Sequence, residues 1–300
     1  MYRVYDALLK ARREERVHKK GAIASEPTPE AEDFANQDGS AHEILPLGTV
    51  PEIKPRKSKM KPAVDHGSTV RRVSVGNFIA KPNSLLAEQF RKLRNVVTTH
   101  NLVDSLHSVV ITSCMPGEGK TTVSLNLSAI VAKGLDDSVV LVDADVRRLN
   151  LTSLLGLRDA PGLMDILEGK APIEETLVAT EIEGLTIIPG GTQSVNPAEL
   201  IASIRMRDFV QQLEQRYRDS YVFIDSTPIV STSEANILSH MVDGIIVVIL
   251  ADKTRRDVVK MELKSINSEK ILGVVLNCAE FETSFYHHKY YKDYRYREKG

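Results

Sequence analysis

The chain has 300 residues, 42% hydrophobic and 26% charged, with a formal net charge of −1. That balance allows a sizeable soluble core and gives the molecule as a whole no charge surplus with which to coat nucleic acid. Its two cysteines, Cys114 and Cys278, stand far apart, which excludes a disulfide framework and a structural zinc site and points to a reducing, cytoplasmic setting.

Along the chain, residues 1–20 read as a short amphipathic helix. Val4, Tyr5, Leu8 and Leu9 share one face and basic residues dominate the rest. Two readings stand level: an end that frays in solution, and a docking helix for a partner or an anionic membrane surface. Residues 21–74 lose all periodicity, and six of the thirteen prolines fall between Pro27 and Pro62. Such a stretch cannot bury enough apolar surface to offset its ordering entropy, so a disordered linker is expected. The ordered domain is expected over 75–283. It opens with a helix after Ser84 that carries Leu86, Phe90, Leu93 and Val97 on one stripe. Six aliphatic runs follow, at 108–112, 138–143, 185–189, 221–225, 244–250 and 271–277, mostly continuous rather than alternating, as in strands covered on both faces. Helical patterns at 120–133, 197–218 (Asn196 as N-cap), 234–240 and 255–268 separate many of them. The fold class expected is α/β, a doubly wound and mostly parallel sheet. No apolar run is long enough to span a bilayer, and no signal-peptide pattern opens the chain.

The run at 108–112 leads into Ser113, Cys114, Met115, Pro116, Gly117, Glu118, Gly119, Lys120, Thr121 and Thr122, and then an apolar helix. Strand, glycine-rich turn and helix is the setting a phosphate-binding P-loop requires. Gly117 and Gly119 let successive amides point into one concavity at a helix N-terminus, an anion nest. Lys120 supplies a charge for the β- and γ-phosphates of ATP, and the Thr121 hydroxyl stands where it can ligate magnesium. Cys114 occupies the place of the motif's usual first glycine. Asp143 and Asp145 end the second run and Asp225 the fourth, at strand C-termini that open into the ligand crevice of a parallel sheet. Three carboxylates beside a phosphate loop suit a magnesium–nucleotide site, so these residues predict ATP-using phosphotransfer.

The same residues resemble the bacterial tyrosine kinases of capsule and exopolysaccharide synthesis, over roughly residues 74–279 and the tail. Residues 113–122 look like that family's deviant Walker A loop, 142–148 like its Asp-x-Asp motif, and 222–225 like its Walker B strand. The segments 161–169 and 196–203 also look like its connecting segments. By this resemblance Pro116, Gly117, Glu118, Gly119, Lys120, Thr121 and Thr122 cradle ATP. Asp143 acts as base toward a tyrosine hydroxyl, and Asp145 and Asp225 hold magnesium through water, with Thr121 as a further metal ligand. Asn277, ending the last strand, would meet adenine as in related P-loop ATPases. Glu88, Arg91 and Arg94 match an E-x-x-R-x-x-R element tied to ring assembly of subunits. Leu149 stands where the family usually has proline. The resemblance further implies a membrane-anchored polysaccharide co-polymerase as activator, a tyrosine phosphatase as opponent, and recruitment to the inner face of the membrane.

Residues 284–300 form a tyrosine-rich tail: Tyr286, Tyr290, Tyr291, Tyr294 and Tyr296 lie among Lys289, Lys292, Arg295, Arg297 and Lys299. Five cations against Asp293 and Glu298 give +3, which suits docking into an acidic Mg·ATP cleft on another subunit. Phosphorylation at about −1.5 to −2 per site would reverse that attraction. Trans-autophosphorylation with control of assembly is the expected activity. Two rivals remain. A partition or cell-division ATPase switch usually carries a lysine near the loop start, which here aligns with Met115, and the next glycine with Pro116. A non-catalytic nucleotide-binding adaptor would have no use for the intact set Lys120, Thr121, Asp143, Asp145 and Asp225.

Overall fold

The computed structural model describes residues 71–279, apart from 105, 135–136 and 218–219. The expected helix at 1–20, the linker up to residue 70 and the tyrosine tail lie outside the described residues. Eight strands are described: β1 Arg72–Val73, β2 Ser108–Ser113, β3 Ser138–Asp143, β4 Val178–Thr180, β5 Leu185–Ile188, β6 Ser220–Asp225, β7 Gly244–Leu250 and β8 Ile271–Asn277. They form one sheet in the order β1-β4-β5-β3-β6-β2-β7-β8, parallel throughout except at β4–β5. All six aliphatic runs are strands of this sheet.

The continuous apolar runs make physical sense because both sheet faces are covered. In β2, Val109 and Ile111 join one core while Val110 joins the other. In β6, Tyr221 and Phe223 face one core, and Val222 and Ile224 the other. The first core is closed by helices α1 (Leu85–Asp104), α2 (Lys120–Ala132) and α3 (Asn150–Leu154). The second is closed by α4 (Leu163–Glu168), α5 (Ile173–Thr176), α6 (Pro197–Ile201), α7 (Ile204–Arg216), α8 (Glu234–Met241) and α9 (Arg256–Glu262). Burying a side chain such as Phe223 or Leu125 is worth about 1.5–3 kcal/mol, so this double cover dominates the fold's stability.

Four expectations need correction. Order does not wait for residue 75: Arg72–Val73 pairs with Ala179–Thr180 as an edge strand, too short to leave any periodicity in the sequence. The helix expected over 197–218 breaks at Ala202–Ser203. The Ser203 hydroxyl donates to the Leu200 carbonyl at 2.6 Å and competes with the helical ladder. The helix expected over 255–268 stops at Glu262, whose carbonyl accepts the Ser265 hydroxyl and amide, and a 3₁₀ turn at Ser268–Lys270 follows. On α1 the buried stripe runs through Ala87, Phe90 and Val97, with Leu93 packed against it, while Leu86 is exposed.

Candidate active site

The C-terminal ends of β2, β3 and β6 form one floor. The loop after β2 carries Gly117 at φ 83° and Gly119 at φ 91°, both left-handed and both glycine, as the amide nest demands. Cys114 needs no such freedom. Its side chain is fully buried in the second core, with burial pushing the thiol up to about 12, so it packs and does not react. Met115, Pro116 and Gly117 face solvent.

Glu118 turns out to be a strut. Its carboxylate, 2% exposed, accepts the Met115 amide at 2.6 Å and the Leu250 amide at 3.1 Å, and binds the Thr254 hydroxyl. The loop is thereby tied to the end of β7. Its carbonyl accepts the Asn277 side-chain amide at 2.9 Å, which ties the loop to β8 as well. The Asn277 side-chain oxygen accepts the amide of the next residue, Cys278, which fixes the side chain at the end of β8. A Cβ on Gly119 would lie 2.2 Å from Asn277 Nδ2. Gly119→Ala is therefore expected to strain a left-handed residue by about 1–3 kcal/mol and to push the Asn277 strut away. Titration with a fluorescent ATP analogue should register at least about a tenfold loss of affinity, the equivalent of about 1.4 kcal/mol. Unchanged affinity would mean that the strut is dispensable.

Lys120 opens α2 and points inward. Its ammonium donates to Asp145 Oδ2 at 2.7 Å, a buried ion pair, and lies 3.5 Å from the Thr121 hydroxyl. Thr121 is half-buried and Thr122 exposed. Asp143 and Asp225 are register partners across β3 and β6, and both side chains are fully buried. Asp143 accepts the Thr152 amide and hydroxyl on Oδ2 and the Asp145 amide on Oδ1. Asp225 Oδ1 accepts the Ser124 hydroxyl at 3.1 Å, whereas its Oδ2 is buried without a hydrogen-bond partner.

Three acids thus face one ammonium in a site shielded from water. Burial and the neighbouring Asp225 push Asp143 up to about 7. Burial likewise raises Asp225, only partly offset by Lys120 and by the Thr121 and Ser124 hydroxyls. Burial alone would pull the Lys120 ammonium down, but Asp225, Asp145 and Asp143 together hold it above its ordinary value. Among the described residues no three His, Cys, Asp or Glu side chains surround a single point. The orphaned Asp225 Oδ2 beside the Thr121 hydroxyl nevertheless fits magnesium, which takes one or two protein oxygens and completes its shell with phosphates and water.

Lys120, Thr121, Asp143, Asp145 and Asp225 therefore converge, with the loop glycines beside them. Glu88, Arg91 and Arg94 stand elsewhere, half-buried on α1. Arg91 binds Glu88 at 2.7 Å and the Pro82 carbonyl at 2.6 Å. Tyr286, Tyr290, Tyr291, Tyr294 and Tyr296 lie outside the described residues. Sequence reasoning missed Ser124 and the side-chain roles of Glu118 and Thr152. Ser124 was within reach, because it sits one helical turn after Lys120 and so must share its face. Glu118 and Thr152 act across more than a hundred residues or through a local turn, and neither leaves a pattern in the chain.

Comparison with known proteins bears on the same region. A family described as AAA domain matches residues 107–268. Tyrosine-protein kinase YwqD of Bacillus subtilis (strain 168) is 30% identical over 215 residues, covering 71% of this chain and 89% of the relative. Tyrosine-protein kinase CpsD of Streptococcus pneumoniae is 32% identical over 186 residues, 61% of this chain and 81% of the relative. Among solved structures, the chimerical protein CapA2B2 superimposes with a TM-score of 0.62 at 28% identity, covering 71% of this chain and 95% of that one. The BceF tyrosine kinase domain gives 0.60 at 27% identity, covering 71% and 85%. No helix among the described residues is long and apolar enough to cross a membrane.

Proposed function

The chain belongs to the bacterial tyrosine-protein kinases of capsule and exopolysaccharide synthesis, and from that premise we propose that it is a Mg·ATP-dependent autokinase that phosphorylates its own C-terminal tyrosines in trans. One observation carries the reading: Lys120, Asp143, Asp145 and Asp225 meet at the ends of three adjacent strands, under an amide-lined loop. Lys120 exchanges Asp145 for the β- and γ-phosphates of ATP, and the first amides of α2, which lack intrahelical acceptors, take the remaining phosphate oxygens. Thr121, Asp145 and Asp225 would hold magnesium, which when bound would neutralise charge on the phosphates. Asp143 takes the proton of the tyrosine hydroxyl as the phenolic oxygen bonds to the γ-phosphorus, and the bridging oxygen leaves with ADP.

The acceptors are Tyr286, Tyr290, Tyr291, Tyr294 and Tyr296, whose basic setting draws the tail into an acidic cleft on a neighbouring subunit. Glu88, Arg91 and Arg94 contribute to a ring of subunits held partly by those tails, which accumulating phosphate loosens. A membrane-anchored polysaccharide co-polymerase recruits and activates the cytoplasmic ring, and a tyrosine phosphatase resets it.

Incubation of the full chain with labelled ATP and magnesium tests this directly. Label is expected on 286–296 by mass spectrometry, and changing all five tyrosines to phenylalanine should remove at least about nine-tenths of it, as for any substrate site deleted outright. Phosphate release with no labelled tyrosine would indicate an ATPase switch instead. Nucleotide binding without either product would leave an adaptor.

A further inference from the structure

The orientation of Asp143 is set by residues outside the phosphate-binding motifs. After Arg148 the chain turns through Leu149, at φ 50°, and the Leu149 amide donates to the Asp145 carbonyl at 2.7 Å. A proline could not make this turn, because its ring locks φ near −65°. The turn starts α3 with its first amides directed back at the end of β3. The Thr152 amide reaches Asp143 Oδ2 at 2.8 Å, and the Thr152 hydroxyl reaches the same oxygen at 2.7 Å. That hydroxyl also accepts the Gly190 amide at 2.8 Å, so its single proton is committed to Asp143. Gly190 comes this close because it has no side chain: a Cβ there would lie 2.2 Å from Leu149 Cδ2. Thr152 is fully buried. Asp143 Oδ2 is therefore saturated by two donors, while Oδ1 accepts a single longer bond, from the Asp145 amide at 3.2 Å.

We propose that Thr152 is a positioning residue for phosphotransfer, fixing Asp143 in one rotamer by occupying Oδ2 and reserving Oδ1 for the incoming tyrosine hydroxyl. The inference rests on the reading of Asp143 as the base. In that step the tyrosine O–H bond breaks, its proton passes to Oδ1, the phenolic oxygen bonds to the γ-phosphorus and the bridging oxygen departs with ADP. Thr152 neither gains nor loses a proton. Valine at 152 keeps the shape but deletes the hydroxyl, leaving one donor on Oδ2 and the buried Gly190 amide without its acceptor. The carboxylate can then rotate.

The test compares Thr152→Val, Thr152→Ser and Asp143→Asn with the unaltered full-length chain. It measures kcat and KM for Mg·ATP in tyrosine phosphotransfer and the Kd of a fluorescent ATP analogue. Thr152→Val is expected to lower kcat about 10–100-fold, the usual loss when the partner orienting a functional ligand is removed. KM and the analogue Kd should stay within about twofold, because the effect falls on the transition state and not on nucleotide binding. Thr152→Ser, which restores the hydroxyl, should return kcat to within about threefold. Unchanged kcat in Thr152→Val, a parallel loss of nucleotide affinity, or failure of serine to rescue overturns the proposal. Asp143→Asn separates the two layers. If it keeps full activity, the base assignment itself is wrong; if it is inactive while Thr152→Val is not, only the role of Thr152 falls.

Discussion

Lys120→Met is expected to lower the stability of the nucleotide-free protein by about 3–5 kcal/mol, the cost of breaking a buried ion pair from one side. The Lys120–Asp145 contact is 2.7 Å long, with side chains 7% and 1% exposed. Removing the ammonium leaves Asp145 charged and without its strongest partner. It also withdraws the positive charge that faces Asp225 and Asp143. Urea denaturation should register the loss as a lower midpoint at unchanged slope. The double variant Lys120→Met/Asp145→Asn should recover most of the deficit, since replacing a buried pair by neutral groups is often close to neutral overall. It should recover no phosphotransfer, because the phosphate-binding charge is still missing. A single variant as stable as the original chain would show that the pair contributes nothing to the resting structure.

The same contact explains how a nucleotide can bind a site with an excess of acids. Asp145 holds the ammonium that the proposed phosphate contact would use. Exchanging one anion for another keeps Lys120 neutralised throughout, so the desolvated lysine is never left bare. The Glu118 and Asn277 struts hold the loop to β7 and β8 while this happens. These struts hold the amide nest in one shape, which lowers the entropic cost of binding a phosphate.

What the chain disclosed beforehand was what local pattern can encode. The six aliphatic runs were legible because a strand buried on both faces has to be apolar at every position, as Val109, Val110 and Ile111 are. Gly117 and Gly119 were legible because a left-handed backbone leaves few alternatives to glycine. Asp143 and Asp225 could be matched before the structure because parallel strands deliver their C-termini to one edge, and the two are in register. The remainder depends on tertiary approach. Nothing local marks Val178–Thr180 as an antiparallel strand, since three residues carry no period. Leu86 fits the apolar spacing of α1 but faces solvent, because the stripe is rotated by one residue toward Ala87. Thr152 meets Asp143 nine residues back and Gly190 38 residues on, and neither contact leaves a local pattern.

Asp225→Asn should make the protein more stable and less active at once. Asp225 is fully buried, one of its oxygens has no hydrogen-bond partner, and its register neighbour is the acid Asp143. Burying such a charge is unfavourable unless it is fully paired, and burial raises Asp225 despite Lys120 and the Thr121 and Ser124 hydroxyls. Asparagine has the same shape, keeps an acceptor for the Ser124 hydroxyl and removes the repulsion with Asp143. A gain of about 1–2 kcal/mol is expected, the range common for relief of a strained functional residue. In a domain of this size that corresponds to a Tm about 2–8 °C higher without ligand. The loss appears on adding Mg·ATP. At a hundredfold excess over Kd the original chain should gain about 2.7 kcal/mol, whereas the variant, lacking its carboxylate toward the ion, should gain much less. Tyrosine phosphotransfer should fall by about 10²-fold or more, as when an electrostatic stabiliser of the transferring group is removed. Differential scanning fluorimetry with and without Mg·ATP reads both shifts in one experiment. A lower Tm without ligand would contradict the view of Asp225 as a charge held in reserve for the metal, and so would an undiminished Mg·ATP shift.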